Sequence, residues 1–329
     1  KNSKAIFMKS ILKKLTIAIP TYNREEKLKN QLLRLSIQDL SRIEEILVID
    51  NNSNYDVSKL ILSLNCDKIK LIKNNLNVGM STNLVTPFLH VNSGWLWLLS
   101  DDDIVLENSI DIIINEIQSS NEKVSWIKFN INPNLRFKKI FTQNLEEFID
   151  YYFSIDGPLK RGDLVFYSNN VFNIDILKKY ITKSFECSYT YIGYLFPALH
   201  ALNDSNGTTI FCDSNIVCYS PPSDGGYSYN KVGLGLSTVS HHNFNLSKNY
   251  KNKLNNLLLS IPYQWFILSF LKGGYFDKQA FNLINKNGYS IFLPFKDKII
   301  IRLFKIYFSF FSSSFLNKLI LKFFNIKNR

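Results

Sequence analysis

The chain has 329 residues, with 39 Lys and Arg against 27 Asp and Glu for a formal net charge of +12, and 46% of its residues are hydrophobic. That composition excludes a disordered chain and a disulfide-stapled mini-protein, and the length suits one large α/β domain or two ordinary ones. Cys66, Cys187, Cys212 and Cys218 form no CxxC pair and have no histidine at zinc-finger spacing, so they read as reduced, buried thiols.

Residues 1–14 are a lysine-containing lead-in without an apolar core of signal-peptide length, so no export is expected. Leu15 to Ile19 is a short apolar run closed by Pro20, and Thr21-Tyr22-Asn23 leads into a helix from Arg24 to Ser36 with Leu28, Leu32 and Leu35 at helical spacing. Ile46 to Ile49 makes a second strand, ended by Asp50-Asn51-Asn52-Ser53, and Val57 to Leu64 a second helix. Ile69 to Ile72 is a third strand, followed by the turn Asn74 to Gly79 and a helix predicted over Met80 to Val91. Trp95 to Leu99 is the fourth strand, and Ser100-Asp101-Asp102-Asp103 precedes a helix predicted over Ile104 to Ile117. Apolar strands alternating with helices predict right-handed βαβ crossovers and a mostly parallel sheet with helices on both faces, whose ligands bind beyond the carboxyl ends of the strands. Every polar cluster named above lies at such an end.

Three carboxylates packed into one turn repel one another, and a divalent cation such as Mg²⁺ or Mn²⁺ is the simplest neutraliser. The plainer use of Asp101, Asp102 and Asp103 is to cap the helix that follows. Asp50, Asn51 and Asn52 carry the groups to hold a base or ribose, or else make an ordinary Asx turn. Asn77, Gly79 and Asn83 sit where a turn enters a helix and backbone N–H groups meet phosphate. The turn Pro20-Thr21-Tyr22-Asn23-Arg24 is suited to frame a nucleotide, or is simple strand-to-helix punctuation.

Taken in order, these residues resemble the family 2 glycosyltransferases, which have the nucleotide-sugar-binding GT-A fold. The resemblance rests on Ile17-Ala18-Ile19-Pro20-Thr21-Tyr22-Asn23-Arg24, on Ile46-Leu47-Val48-Ile49-Asp50-Asn51-Asn52-Ser53, on Asn77-Val78-Gly79-Met80-Ser81-Thr82-Asn83, and on the metal-binding DxD region, here Leu98-Leu99-Ser100-Asp101-Asp102-Asp103. Ser100 stands where many members have Asp, so the register of the DxD admits Asp101 with Asp103 or Asp102 with Asp103. Within the family the chain looks most like the sugar transferases of bacterial surface polysaccharide (lipopolysaccharide or capsule) assembly, abequosyltransferase-like proteins included. The resemblance implies a metal-dependent, inverting transfer from a nucleotide-sugar donor to a hydroxyl of a lipid-linked or polysaccharide glycan acceptor. It implies a downstream acid as catalytic base, with Glu186 and Asp163 as the candidates and Asp156 as a competitor, Glu186 preceding a helix predicted over Tyr189 to Leu202. It also implies a late histidine in the metal shell, for which His242 is the candidate beside His241, after a glycine-rich segment from Pro221 to Gly235.

From Lys286 to Arg329 nine basic residues face one acid, a net +8, which leaves +4 for the other 285 residues. Lys298, Arg302 and Lys305 form one stripe of a broad apolar helix, and Lys318 and Lys322 repeat the pattern. No uncharged stretch there is long enough to span a bilayer, so the expectation is a tail lying on an anionic membrane surface, with packing onto the catalytic domain or a second copy as the alternative. The expected organisation is a lead-in (1–14), a GT-A catalytic domain (15–250, with a donor half at 15–105 and an acceptor half at 106–250) and a membrane-associating helical region (251–329). The expected location is the inner face of the cell membrane. No nucleic-acid-binding motif is present. The competing readings are a nucleotidyltransferase of similar fold and a catalytically silent membrane-associated module.

Overall fold

In the computed structural model, which describes residues 14–131, 139–155, 163–218 and 229–258, the first apolar run of the chain becomes the middle of a sheet. The elements are β1 (Leu15–Thr21), α1 (Glu25–Ser36), β2 (Glu45–Asp50), α2 (Val57–Ser63), β3 (Ile69–Lys73), α3 (Met80–Asn83), α4 (Pro87–His90), β4 (Trp95–Leu98), β5 (Ile104–Val105), α5 (Ser109–Ser119), β6 (Val124–Asn130), β7 (Ile140–Thr142), α6 (Leu145–Ser154), β8 (Asn170–Asn173), α7 (Ile174–Leu177), α8 (Ile181–Glu186), α9 (Phe196–Asn203), β9 (Thr208–Asn215), β10 (Val217–Cys218) and α10 (Tyr229–Ser237). Eight strands form one sheet in the order β3-β2-β1-β4-β8-β6-β9-β7, while β10 and β5 form a separate antiparallel pair. The expected α/β fold with a mostly parallel, GT-A-like sheet is what the chain adopts. β8 is antiparallel to both of its neighbours, and β7 is antiparallel to β9.

All seven residues of β1 are buried, as befits a strand covered on both faces. Burying each large aliphatic side chain contributes about 1.5–3 kcal/mol. Leu28, Leu32 and Leu35 bring α1 onto the same core as Ile17, Ile46, Val48 and Trp97. β1 pairs with β2 as far as Thr21–Asp50, but with β4 only as far as Ala18–Leu98. Leu99 still donates to the Ala18 carbonyl, yet Pro20 has no N–H with which to extend that ladder. β1 and β4 therefore stop pairing at this point, and the chain after each is available to the site.

Three sequence expectations change. The helix over Met80 to Val91 is split into α3 and α4, because Pro87 has no N–H to give the Asn83 carbonyl. The helix expected from Ile104 begins at Ser109, since Ile104–Val105 pairs with β10 instead. The Asp run therefore caps no helix. The helix expected over Tyr189 to Leu202 is two 3₁₀ turns, Ser188–Thr190 and Gly193–Leu195, followed by α9, with Pro197 in its first turn. Between the turns Tyr191 has φ 65°, and a Cβ on Gly193 would lie 2.6 Å from the Ser184 carbonyl oxygen. The left-handed backbone at Tyr191 breaks the helix between the turns, and the packing of Gly193 against Ser184 leaves no room for a side chain there.

The chain divides into two units, residues 1–224 and 225–329. In the second, α10 and a 3₁₀ turn at Thr238–His241 are followed by helical residues 248–258. Among the described residues no helix is long and apolar enough to cross a membrane. Lys298, Arg302, Lys305, Lys318 and Lys322 lie outside the described residues, as do Asp156 and residues 221–228 of the glycine-rich segment. All four cysteines are free thiols, Cys187 and Cys212 buried, and burial pushes the Cys187 thiol up to about 12.

Candidate active site

The acidic turn sits at the carboxyl end of β4, opposite the end of β1. The Thr21 hydroxyl donates to Asp101 Oδ2 at 2.7 Å, and Arg24 Nη1 reaches Asp101 Oδ1 at 2.8 Å and Asp102 Oδ2 at 3.0 Å. Ser100 Oγ donates to Asp102 Oδ1 at 2.6 Å, and Gln31 of α1 donates to the Ser100 carbonyl at 2.7 Å. Asp101 and Asp103 are buried, whereas the Asp102 side chain keeps 11% of its surface open. Burial pushes the Asp101 carboxyl up, against the pull of the Arg24 guanidinium and the Thr21 hydroxyl. One guanidinium thus partly neutralises two carboxylates that the bare sequence leaves in mutual repulsion.

The second cluster lies level with the first, because Asp50 pairs with Thr21 in the β1–β2 register. Asp50 is fully buried; its Oδ1 accepts from the Ser53 N–H, and its Oδ2 has no hydrogen-bond partner. Ser53 Oγ accepts from the Asn23 N–H, and Asn23 Oδ1 accepts from the Asn54 N–H, which ties the turn after β1 to the turn after β2. Asn23 and Asn52 both take left-handed backbone angles, which asparagine tolerates. Asn51, Asn74, Asn77 and Asn83 form one amide network: Asn51 donates to Asn77, and Asn74 to both Asn51 and Asn83. The Val78 N–H donates to Asn51 Oδ1 and the Gly79 N–H to Asn77 Oδ1, with Gly79 at φ +83°. These amides shape the turn before α3. Tyr22, Asn52, Asn77 and Gly79 are exposed at this edge.

A third group arrives from the far half of the sheet. Because β8 runs antiparallel to β4, its first residue Asn170 pairs with Leu98, and Ser168 lies beside Ser100. Asn169 and Asn170 accept from the fully buried Lys128 Nζ at 2.9 and 3.2 Å. Asp163, also fully buried, accepts from Tyr152 at Oδ2 and from Asn169 at Oδ1, both at 2.9 Å, with Lys128 4.0 Å away. Burial lowers Lys128 to about 8 and raises Asp163 to about 6, each opposed by the charge of the other.

The profile of the family described as "Glycosyl transferase family 2" matches residues 16–200, more than half of the chain. The chain is a family 2 glycosyltransferase. It is 24% identical over 109 residues to abequosyltransferase RfbV of Salmonella typhimurium, covering 32% of this chain and 33% of that protein. It is 29% identical over 112 residues to the GalNAc(5)-diNAcBac-PP-undecaprenol beta-1,3-glucosyltransferase of Campylobacter jejuni, covering 33% and 35%. The matched segment thus spans about a third of the length of either relative. Its fold is similar to that of S. aureus TarS 1–349 in complex with UDP-GlcNAc, with a TM-score of 0.60 at 14% identity over 83% of this chain and 80% of that one. It is also similar to the mannosyltransferase PcManGT of Pyrobaculum calidifontis in complex with GDP-Man and Mn²⁺, with a TM-score of 0.50 at 12% identity over 89% and 87%.

In this glycosyltransferase the two candidate bases lie in contrasting surroundings. Glu186 is at the end of α8, exposed, and paired with Lys183 at 2.7 Å. Asp163 is buried with both oxygens hydrogen-bonded. His242 belongs to the second unit, where its N–H donates to the Val239 carbonyl. Sequence reasoning missed Gln31, Asn74 and Ser168, which hold the site residues. Asn74 stands within a legible turn, but nothing local to Gln31 or Ser168 marks either one, since each meets the acidic turn across more than sixty intervening residues.

Proposed function

We propose that this glycosyltransferase moves a hexose from a nucleotide-sugar donor to a hydroxyl of a lipid-linked or surface-polysaccharide glycan, by direct displacement with inversion, at the inner face of a membrane. One observation carries the donor half: Asp50, Thr21 with Arg24, and the acidic turn meet at the carboxyl ends of three adjacent parallel strands, where sheets of this kind bind their ligands. Asp50 Oδ2, buried without a donor, suits a ribose hydroxyl or a base N–H. The activities named for the two relatives and the sugar nucleotides held by the two similar structures support the choice of donor and acceptor class.

Mg²⁺ or Mn²⁺ is the proposed cofactor. Among the described residues no three His, Cys, Asp or Glu side chains are grouped to hold a metal. Asp102, with Asp101 or Asp103 beside it, would hold the cation through carboxylate oxygens, the donor type that suits a hard cation. When bound, the cation offsets charge on the departing nucleoside diphosphate. Arg24, already against both Asp101 and Asp102, supplies positive charge at the same place. The acceptor hydroxyl must lose a proton as it attacks, and the exposed Glu186 is the preferred base, with Asp163 second. The membrane location is supported by the basic, aromatic sequence from 286 to 329.

A thermal-shift panel of UDP-, GDP-, CDP- and dTDP-sugars, each with and without Mn²⁺, tests the reading. Stabilisation by one nucleotide class, enlarged by Mn²⁺, is expected. A chain indifferent to all of them would defeat it.

A further inference from the structure

We infer that Ser168 is a positioning residue for the acidic turn, holding both of its ends so that Asp102, between them, stays the most open of the three carboxylates; the inference rests on the donor-site reading above. Ser168 is fully buried and remote in sequence from the turn, yet its hydroxyl makes two bonds there. It accepts from the Ser100 N–H at 2.9 Å and donates to Asp103 Oδ2 at 2.5 Å. A single oxygen therefore fixes the residue before Asp101 and the residue after Asp102. With Asp103 turned inward to Ser168 and Asp101 turned inward to Thr21, Asp102 is left as the most open carboxylate of the three.

The hydroxyl is itself held. The Ser168 carbonyl accepts from the Trp97 indole N–H at 2.8 Å. Its neighbour Asn169 bonds the Phe129 backbone in both directions and sits between Lys128 and Asp163. Asn170 accepts from Trp126 and Lys128 and donates to the Phe166 and Tyr167 carbonyls. The side chains of Trp97, Trp126, Lys128, Asp163, Asn169 and Asn170 are all buried and paired, and a polar network of this kind permits little rotation of the segment that carries Ser168. The far half of the sheet thus reaches the acidic turn through the Ser168 hydroxyl.

The test is calorimetric titration of the full chain with UDP, GDP and CDP in excess Mn²⁺, on wild type, Ser168→Ala, Asp103→Ala and the double variant, with circular dichroism to establish folding. Ser168→Ala should weaken the nucleotide that wild type binds by roughly tenfold, the usual scale for a hydrogen bond to a charged group. In the Asp103→Ala background the same change should cost less than about threefold, because two residues acting through one contact are not additive. Wild-type affinity in Ser168→Ala, or losses that simply multiply in the double variant, would overturn the assignment while leaving the donor site standing. A wild-type chain that binds none of the three nucleotides overturns both. If Ser168→Ala does not fold, Ser168→Cys, which keeps the volume and weakens the donor, replaces it in the same cycle. Ser168→Cys with undiminished affinity then rejects the role.

Discussion

Arg24 and Asp101, far apart in sequence, meet at 2.8 Å where β1 and β4 cease to pair. The guanidinium is one-fifth exposed and the carboxylate nearly closed to solvent, so the pair lies at the boundary between core and site. Replacing Arg24 by Met leaves Asp101 buried against Asp102 without a counter-charge. A loss of about 2–4 kcal/mol in unfolding free energy is expected, toward the lower end because Arg24 is partly hydrated. Chemical denaturation followed by circular dichroism measures it, and stability equal to wild type would show that the pair is a surface ornament.

Asp102→Asn separates site from scaffold. Of the three acids it is the least buried, so the neutral isostere should leave the melting temperature within a few degrees of wild type while nucleotide binding in Mn²⁺ falls at least tenfold. Asp103→Asn, by contrast, disturbs a buried bond to Ser168 and should lower both. A common melting temperature for the two variants would contradict this division of roles.

The Lys128–Asp163 pair makes stability depend on pH with a definite sign. Burial raises Asp163 from 3.8 to about 6, so its contribution to stability is full at pH below 3.8 and is lost as pH rises through 6. Lys128, lowered from 10.5 to about 8, contributes fully above 10.5 and loses that contribution as pH falls through 8. Between pH 6 and 8 both groups are charged in the fold, and the pair is least favourable there. Asp163→Asn should remove the acidic limb, on the order of 2–3 kcal/mol between pH 4 and 6. Melting curves of the two proteins across pH 4–9 make the comparison, and parallel profiles would refute it.

Glu186→Gln should lower kcat by about 10²–10⁴ and leave donor affinity unchanged if Glu186 takes the acceptor proton. The readout is sugar transfer to an amphiphilic glycan acceptor beside nucleotide titration. An undiminished kcat would move the role to Asp163.

Removal of residues 294–329 should abolish flotation of the protein with liposomes rich in anionic lipid and leave nucleotide binding intact. Equal flotation of the two chains would dismiss the tail as the membrane contact.

Much of the fold around the candidate site was legible because its information is local. Apolar runs such as Ile46 to Ile49 end in Asp and Asn at the place where a buried strand must meet water, and that pattern sets both strand and site. The strand ends are correct to within two residues at β1 and to one at β2, β3 and β4. What was not legible depends on tertiary partners. Ile104 and Val105 follow helical spacing on paper, but β10 offers them a strand to pair with. Met80 to Val91 keeps its apolar spacing across Pro87, although the backbone cannot carry one helix through it. Lys128 gives no local hint of full burial, since the amides that accept from it come from β8 and the residue before it.

While the chain is being made, β4 can dock on β1 at once, but its other side has nothing to pair with until Asn170–Asn173 has left the ribosome. A fragment ending after Val105 would present Trp95-Leu96-Trp97-Leu98 as a bare, apolar sheet margin, the sort of surface that recruits another chain. Residues 15–105 expressed alone should therefore be recovered as aggregate, and any shortened form of the protein should extend at least through β9.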